Sequence, residues 1–134
     1  EPAFVRWPGV IAAGSSTKQV AITMDWTATI LAAAVTKPDP AFPLDGMNLL
    51  PVLKGGKEVM GRTFFWRLSQ EKKQKAIRDG DWKYLQNEKG EFLFNLEKDP
   101  GEKKDLKKIY PAKFIKLKKK YRDWEATVLK PIPL

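Results

Sequence analysis

The pattern of apolar and polar residues differs from one part of the chain to the next. In residues 2–56 it predicts a strand, a helix and a short helical turn. Pro2–Ile11 is a mainly apolar run that predicts a strand buried on both faces and ending at Pro8-Gly9. Asp25–Val35 carries apolar residues on one side at helical spacing, with Asp25 as the expected N-cap. Met47–Gly56 predicts one or two turns of helix that end at glycine.

Residues 62–96 predict an antiparallel meander of about four strands. The predicted strands are rich in aromatic and aliphatic residues: Arg62–Leu68, Lys75–Asp79, Trp82–Gln86 and Glu91–Leu96. Gly80-Asp81 joins two of them as a two-residue hairpin turn with glycine first, and Lys89-Gly90 marks the next turn. We expect Trp66, Trp82 and the later Trp124 to lie in the core.

A capped helix start and a long amphipathic helix follow the strands. Asp99 as N-cap, Pro100 at the first helical position and Glu102 as the closing acid predict that a helix begins here. A last helix is expected from near Pro111, where apolar residues recur every three or four positions: Phe114, Leu117, Tyr121, Trp124 and Val128. The predicted fold class is therefore α+β, with a small antiparallel sheet packed against a C-terminal amphipathic helix and preceded by a strand and a helix.

The composition narrows the chemistry that these residues can perform. The 134 residues include no cysteine and no histidine, which excludes disulfides, thiolate sites and imidazole chemistry within the chain. No apolar run approaches the roughly 20 residues that a membrane-spanning helix needs. The sequence shows no signal peptide and begins at Glu1 rather than Met, so we expect it to have been cut from a longer protein.

The net charge of +9 is concentrated in the C-terminal third, because residues 97–134 carry 12 basic and 6 acidic side chains. One interpretation is a phosphate-binding stripe for nucleic acid. The other is the solvated face of the amphipathic helix. Most of the cations are Lys, whereas recognition of bases and phosphates favours the bidentate fork of Arg. Nucleic acid is therefore not the favoured partner.

The segment Phe65–Lys75, where a strand gives way to a polar loop, is the most suggestive of ligand binding. Arg67 offers a fork of donors that fits sulfate or carboxylate, and Ser69 and Gln70 could hydrogen-bond sugar hydroxyls. For Trp66, a sugar-stacking platform is the alternative to a place in the core. The other interpretation of the segment is a charged loop with an arginine at the sheet edge.

Six segments, in order, resemble the C-terminal portion of the type I sulfatases, the formylglycine-dependent arylsulfatase family. PAFVRWPGVIAAGS resembles the family's strand and R-x-P-G turn, and DWTATILAAA resembles its D-x-x-P-T-x-L helix, with Ala28 in place of proline. LDGMNLLPVLKG resembles the pattern D-G-x-(S/N)-L-x-P-x-L-x-G. RTFFWR, AIRDGDWKYL and EFLFNLEKDPGEKKDL, followed by the final helix, resemble the family's small C-terminal subdomain.

The resemblance implies a division into two parts. Residues 1–56 would be the tail end of a large alkaline-phosphatase-like α/β domain, and residues 57–134 would be the C-terminal subdomain. In the family this subdomain can line the outer substrate pocket. By that analogy the substrate-contacting residues are Arg67, Gln70, Trp66 and Lys72.

The resemblance also implies where catalysis resides. In the family, the nucleophile motif C/S-x-P-x-R, the calcium ligands and the catalytic His and Lys precede the position of Glu1. Formylglycine and Ca²⁺ are therefore expected in an N-terminal part of the parent, and no residue here inherits a catalytic or metal role. Alone, this chain is expected to be inactive.

The complete parent is expected to be a sulfuric ester hydrolase that acts on a sulfated small molecule or glycan. The rest of the sulfatase chain would then be the partner of this subdomain. By the same resemblance, the location would be periplasmic or extracellular. The sequence leaves open the ester, the type of nucleophile and the oligomeric state.

Two other functions stay open. A non-catalytic basic module would bind polyanions, either sulfated glycan or nucleic acid, and its affinity would fall steeply with salt. Retention on heparin well above physiological salt would favour this module over a sulfatase subdomain. The third possibility is a phosphoesterase or phosphotransferase of the alkaline phosphatase superfamily, which ranks lower because the GDWKYL and DPGE segments resemble sulfatases specifically.

Overall fold

The protein, in a computed structural model, folds into two compact units, Glu1–Met60 and Gly61–Leu134. The structure describes residues 2–56, 58–68 and 74–128. The elements in chain order are α1 (Met24–Ala33), α2 (Leu50–Leu53), β1 (Thr63–Arg67), β2 (Lys75–Asp79), β3 (Trp82–Asn87), β4 (Gly90–Asn95) and α3 (Pro111–Glu125).

The predicted strand over Pro2–Ile11 is wrong for this chain. Residues 2–7 follow no regular pattern, and a turn follows in which Val10 and Ile11 both donate backbone N–H bonds to the carbonyl of Trp7, at 3.1 and 2.9 Å. Phe4 is 93% exposed. An apolar run becomes a strand only when a neighbouring strand accepts its backbone hydrogen bonds, and the first unit has no strand within residues 2–56.

A buried carboxylate joins the two helices of the first unit. Asp25 is the second residue of α1 rather than its N-cap, a position that Thr23 occupies without a side-chain bond. The Asp25 side chain is fully buried, and its two oxygens accept backbone N–H bonds from Ile22 and Met47, both at 2.8 Å. The carboxylate therefore fixes the start of α1 and the approach to α2 together.

Thr29 and Gly46 complete this junction. The Thr29 hydroxyl donates to the carbonyl of Asp25 at 2.6 Å and accepts the N–H of Leu49 at 3.0 Å. A Cβ on Gly46 would lie 2.0 Å from the carbonyl oxygen of Met24, so only glycine fits. The segments DWTATILAAA and LDGMNLLPVLKG thus form one structural junction within the first unit.

The second unit contains the predicted antiparallel meander. Its strands lie in the order β1-β2-β3-β4, and each pairs antiparallel with its neighbour. The Gly80-Asp81 hairpin is confirmed, with Asp79 paired to Trp82 and a positive φ of +60° at Gly80. The next turn is Glu88-Lys89 rather than Lys89-Gly90, because Gly90 already pairs with Asn87.

Helix α3 packs against one face of this sheet, which we call the helix-covered face. Its core consists of Ile77, Tyr84, Leu93, Leu117 and Tyr121, all 2% exposed or less. Phe65, Trp82, Leu106, Phe114 and Trp124 pack around them. The predicted apolar stripe of α3 is confirmed from Phe114 to Trp124, whereas Val128 lies beyond the end of the helix at Glu125.

The predicted helix start at Asp99 is wrong. Residues 99–101 form a turn, in which the N–H of Glu102 bonds to the carbonyl of Asp99 at 3.1 Å. Glu102 has a φ of +54°, which a right-handed helix cannot continue through. The chain then runs along the outer edge of β4, where Leu93 donates to Asp105 Oδ1 and accepts from the N–H of Leu106. This loop satisfies backbone groups of an edge strand that would otherwise be open to pairing.

Candidate functional site

The face of the sheet that α3 does not cover carries a shallow groove, and we call it the groove face. Because strand residues alternate between faces, the cross-strand pairs place two rows of side chains here. One row is Phe64, Arg78, Lys83 and Phe94, and the other is Trp66, Ala76, Leu85 and Phe92. The rows combine apolar and cationic side chains on one surface.

The groove has a volume of about 340 Å³. It is lined by Trp66, Leu68, Gln74, Lys75, Ala76, Arg78, Lys83, Leu85, Leu96 and Glu102. The predicted place of Trp66 in the core is wrong, because its side chain is 38% exposed and lines this groove. An exposed indole beside polar groups is the arrangement that the sugar-stacking alternative requires.

Two cations stand directly opposite each other in the groove. Arg78 on β2 pairs across the ladder with Lys83 on β3. The Arg78 Nε donates to the carbonyl of Gly80 at 2.9 Å, and the Lys83 ammonium lies 2.6 Å from Glu102 Oε1. Glu102 therefore reaches the sheet from the turn that follows β4 and neutralises one of the two cations.

The structure separates the residues that the sequence nominated for substrate contact. Trp66 lies in the groove, but Arg67 follows it in β1 and belongs to the helix-covered face. Burial raises the pKa of Tyr121, on the same face, to about 12, and the charge of Glu125 adds to the rise. The charge of Arg67 acts in the opposite direction and lowers this pKa. Gln70 and Lys72 lie outside the described residues.

Sequence reasoning missed three of the charged residues that line the groove, which are Arg78, Lys83 and Glu102. A signal for the first two was present. The two-residue turn at Gly80-Asp81 fixes the register, and that register places Arg78 opposite Lys83 on one face. No comparable signal identified Glu102, because the capping pattern assigned its side chain to a helix start.

On the helix-covered face, lysines of α3 pair with carboxylates of the sheet. The Lys118 ammonium lies 2.7 Å from Glu91, which also accepts the hydroxyl of Tyr84 at 2.7 Å. Lys120 lies 3.0 Å from Asp79 and 2.7 Å from the hydroxyl of Thr63. These pairs hold α3 across the sheet. They engage lysines that, from the charge pattern alone, could equally have bound a ligand.

The same pairs shift the pKa values of the sheet carboxylates. The hydrogen bond from Lys118 lowers the pKa of Glu91, burial opposes it, and Tyr84 adds to the lowering. Burial by itself would raise the pKa of Asp79, but the hydrogen bonds and charge of Lys120 together with Thr63 outweigh it and lower the pKa. Burial and the bond to Glu91 raise the pKa of Tyr84. These shifts are those of structural ion pairs.

Metal-binding clusters and membrane-spanning helices also bear on the kind of site. Among the residues that the structure describes, no group of three or more acidic residues is placed to hold a metal ion. In that same part of the chain, no helix is both long and apolar enough to cross a membrane.

Residues 1–126 match the family model for the C-terminal region of N-sulphoglucosamine sulphohydrolase. The chain belongs to this sulfatase family. The match covers both units, so the resemblance noted from six short segments extends over nearly the whole sequence.

Individual sulfatases are similar to the chain in sequence and in fold. It is 39% identical over 67 residues, half of its length, to human N-acetylgalactosamine-6-sulfatase and 32% identical over 132 residues, with 79% of its length covered, to human arylsulfatase A. The crystal structure of Ps i-CgsB superposes on 88% of the chain with a TM-score of 0.74 and 27% identity. The α+β fold, with its four-stranded sheet and C-terminal helix, is thus a sulfatase fold.

The chain spans only part of each of these proteins. It corresponds to 13% of the length of the N-acetylgalactosamine sulfatase, 26% of arylsulfatase A and 27% of the Ps i-CgsB chain.

Proposed function

We propose that this chain serves as the C-terminal subdomain of a sulfuric ester hydrolase. In this role it contributes a folded support and part of the outer substrate pocket, while the bond-breaking residues belong to the rest of the sulfatase chain. The family match over residues 1–126 is the observation that carries the proposal. The junction around Asp25 supports it, because it gives two of the resembling segments a structural rather than a catalytic purpose.

Formylglycine and Ca²⁺ belong to the proposed parent and not to these residues. A sulfatase nucleophile requires a Cys or Ser precursor in C/S-x-P-x-R, and this chain contains no such motif. Calcium takes six or more oxygen ligands, and no carboxylate cluster of that kind lies within residues 2–56, 58–68 and 74–128. We therefore assign no step through either group to this chain.

The proposed substrate is a sulfated sugar or glycan. The names of the similar proteins favour this class, since one is an N-acetylgalactosamine-6-sulfatase and Ps i-CgsB has been crystallised with k-i-k-neocarrahexaose. The substrate-contacting residues of the proposal are Trp66 in the groove, with Arg67, Gln70 and Lys72 near it in sequence. The proposed location, periplasmic or extracellular, follows from the same family.

The ion pairs of the lysines in α3 disfavour the alternative of a basic module for polyanions. Lys118 and Lys120 face carboxylates of the sheet, and Lys119 lies 2.7 Å from Asp123 on the helix itself. A cation engaged in such a pair releases fewer counterions to a polyanion. We therefore expect the proposed sulfatase subdomain to elute from a heparin column at or below about 150 mM salt. At this salt concentration, interactions between exposed charges more than roughly 8 Å apart are screened.

The test begins with the reading frame upstream of Glu1. A frame that encodes C-x-P-S-R or S-x-P-x-R, with Asp pairs and a His further on, supports the proposal. The full-length protein should then hydrolyse sulfate esters of sugars in a calcium-dependent manner, and deletion of residues 57–134 should abolish that activity. A frame that starts just before Glu1, or a full-length protein without sulfate ester hydrolysis, would overturn the proposal.

A further inference from the structure

Three unusual features meet in the groove. Arg78 and Lys83 are like charges placed directly opposite each other in an antiparallel pair. Glu102 holds a left-handed backbone conformation beside them. Trp66 exposes its ring in the same groove.

The cation pair is unfavourable by itself. Side chains directly opposite on one face have their Cβ atoms about 4.5–5.5 Å apart, and like charges at that separation destabilise a sheet. The Arg78 guanidinium uses Nε for the carbonyl of Gly80. Its two terminal amino groups make no hydrogen bond to any residue in the described part of the chain, so the edge of the fork that grips an oxyanion is available.

Glu102 has the geometry of an internal counter-ion. Its φ of +54° is uncommon for a residue other than glycine and is sustained only when the surroundings determine it. The carboxylate lies 2.6 Å from the Lys83 ammonium, and both side chains are partly exposed, at 29% and 22%. The carboxylate of Glu102 thus occupies a position where an external anion would meet the same cation.

We propose that the groove is a binding site for an acidic sugar unit, in which Trp66 stacks on the ring, Arg78 and Lys83 bind a sulfate or carboxylate group, and Glu102 is the internal anion that this group displaces. Charge complementarity selects the ligand, since the two cations Arg78 and Lys83 share a single carboxylate, Glu102, in the groove. The indole selects a sugar over a bare anion. That the ligand is a sugar rests on the proposed function, whereas the anion site rests on the groove alone.

The experiment is an NMR titration of the 134-residue chain, followed at the Trp66 indole N–H and the Arg78 Nε–H. The probes are N-acetylgalactosamine 6-sulfate, glucuronate, N-acetylgalactosamine and inorganic sulfate. We expect both acidic sugars to shift these signals more strongly than the neutral sugar at equal concentration. Inorganic sulfate should bind more weakly than the sulfated sugar, because it cannot stack on Trp66. The tighter of the two acidic sugars identifies which anionic group the site prefers.

Matched variants isolate the role of Glu102. In the variant Glu102→Gln, the sugar's anionic group no longer has to displace the Glu102 carboxylate from Lys83. Because a partly exposed ion pair contributes little, the affinity for the sulfated sugar should rise by only roughly two- to fivefold. Asp123→Asn removes the same charge and releases Lys119 on α3, away from the groove, and it should leave the affinity unchanged. Lys83→Gln should weaken binding, whereas Lys119→Gln should not.

Several outcomes would overturn the inference. These are equal binding of the neutral and acidic sugars, equal binding of inorganic sulfate and the sulfated sugar, or the same effect of Glu102→Gln and Asp123→Asn. Failure of the proposed function is recognised separately, because it concerns hydrolysis by the full-length protein and this titration measures no turnover.

Discussion

The two faces of the four-stranded sheet differ in what they do with charge. On the helix-covered face, Lys118 and Lys120 each meet a carboxylate of the sheet, and Ile77 and Leu93 beneath them are fully buried. On the groove face, like charges stand opposite each other and Trp66 is exposed. The first arrangement stabilises the unit, whereas in the second the repulsion between Arg78 and Lys83 is a local cost. Such a local cost is expected where a surface serves a ligand rather than the fold.

The largest expected effect compares how deeply leucines on the two faces of the sheet are packed. Leu117 is 1% exposed, so Leu117→Ala should lower the free energy of unfolding of the second unit by about 2–5 kcal/mol. Leu85 lies on the groove face and is only partly buried, and Leu85→Ala should cost clearly less. Urea denaturation of both variants, followed by tryptophan fluorescence, gives the comparison. Equal losses would contradict the difference between the faces.

The pH dependence of stability tests the ion pairs of the helix-covered face. The folded pKa values of Glu91 and Asp79 lie below the ordinary values of 4.5 and 3.8. Their stabilisation is therefore complete above pH 4.5 and is lost progressively as the pH falls through the lowered values. When urea midpoints are measured from pH 7 to pH 2, they should decrease as the pH drops below about 4.5. In the double variant Glu91→Gln, Asp79→Asn, the fall should be shallower, and an unchanged fall would show that other groups cause it.

The sequence predicted those parts of the fold in which local signals agree with long-range contacts. The hairpin at Gly80-Asp81 was found because turn residues and flanking strands specify the same register. The α3 stripe was found because its period matches the face that it buries. The strand over Pro2–Ile11 failed for the opposite reason, since an apolar run carries no information about whether a partner strand exists.

The groove was harder to predict from the sequence than the fold. The sequence predicts a place in the core for Trp66 because large aromatic residues in a strand usually pack there, but its exposure depends on which face α3 covers. The sequence nominates Arg67 beside it, but neighbouring strand residues point to opposite faces, so Arg67 lies on the helix-covered face rather than in the groove. The local sequence predicts a capping box that includes Glu102, whereas its positive φ is a property of the folded turn that no local pattern indicates.

A smaller effect concerns the hydroxyl of Tyr84, which donates to Glu91 at 2.7 Å beneath α3. Tyr84→Phe keeps the ring but removes a hydrogen bond to a charged group, and it should lower the free energy of unfolding by about 1.5 kcal/mol. Tyr110 is the control, because it is 45% exposed, and Tyr110→Phe should change stability by less than about 0.5 kcal/mol. Similar losses in the two variants would mean that the bond to Glu91 contributes nothing.

The smallest effect compares one lysine from each face. Lys118→Gln removes the partner of Glu91 and should lower the free energy of unfolding by up to about 1 kcal/mol. Lys83→Gln also removes an ion pair, but it relieves the repulsion from Arg78 across the ladder, so its net effect should be near zero. The difference in urea midpoint should shrink as salt is raised, because both contributions are electrostatic. If Lys83→Gln destabilised the unit as much as Lys118→Gln, the groove cations would be structural, and the two faces would not differ in purpose.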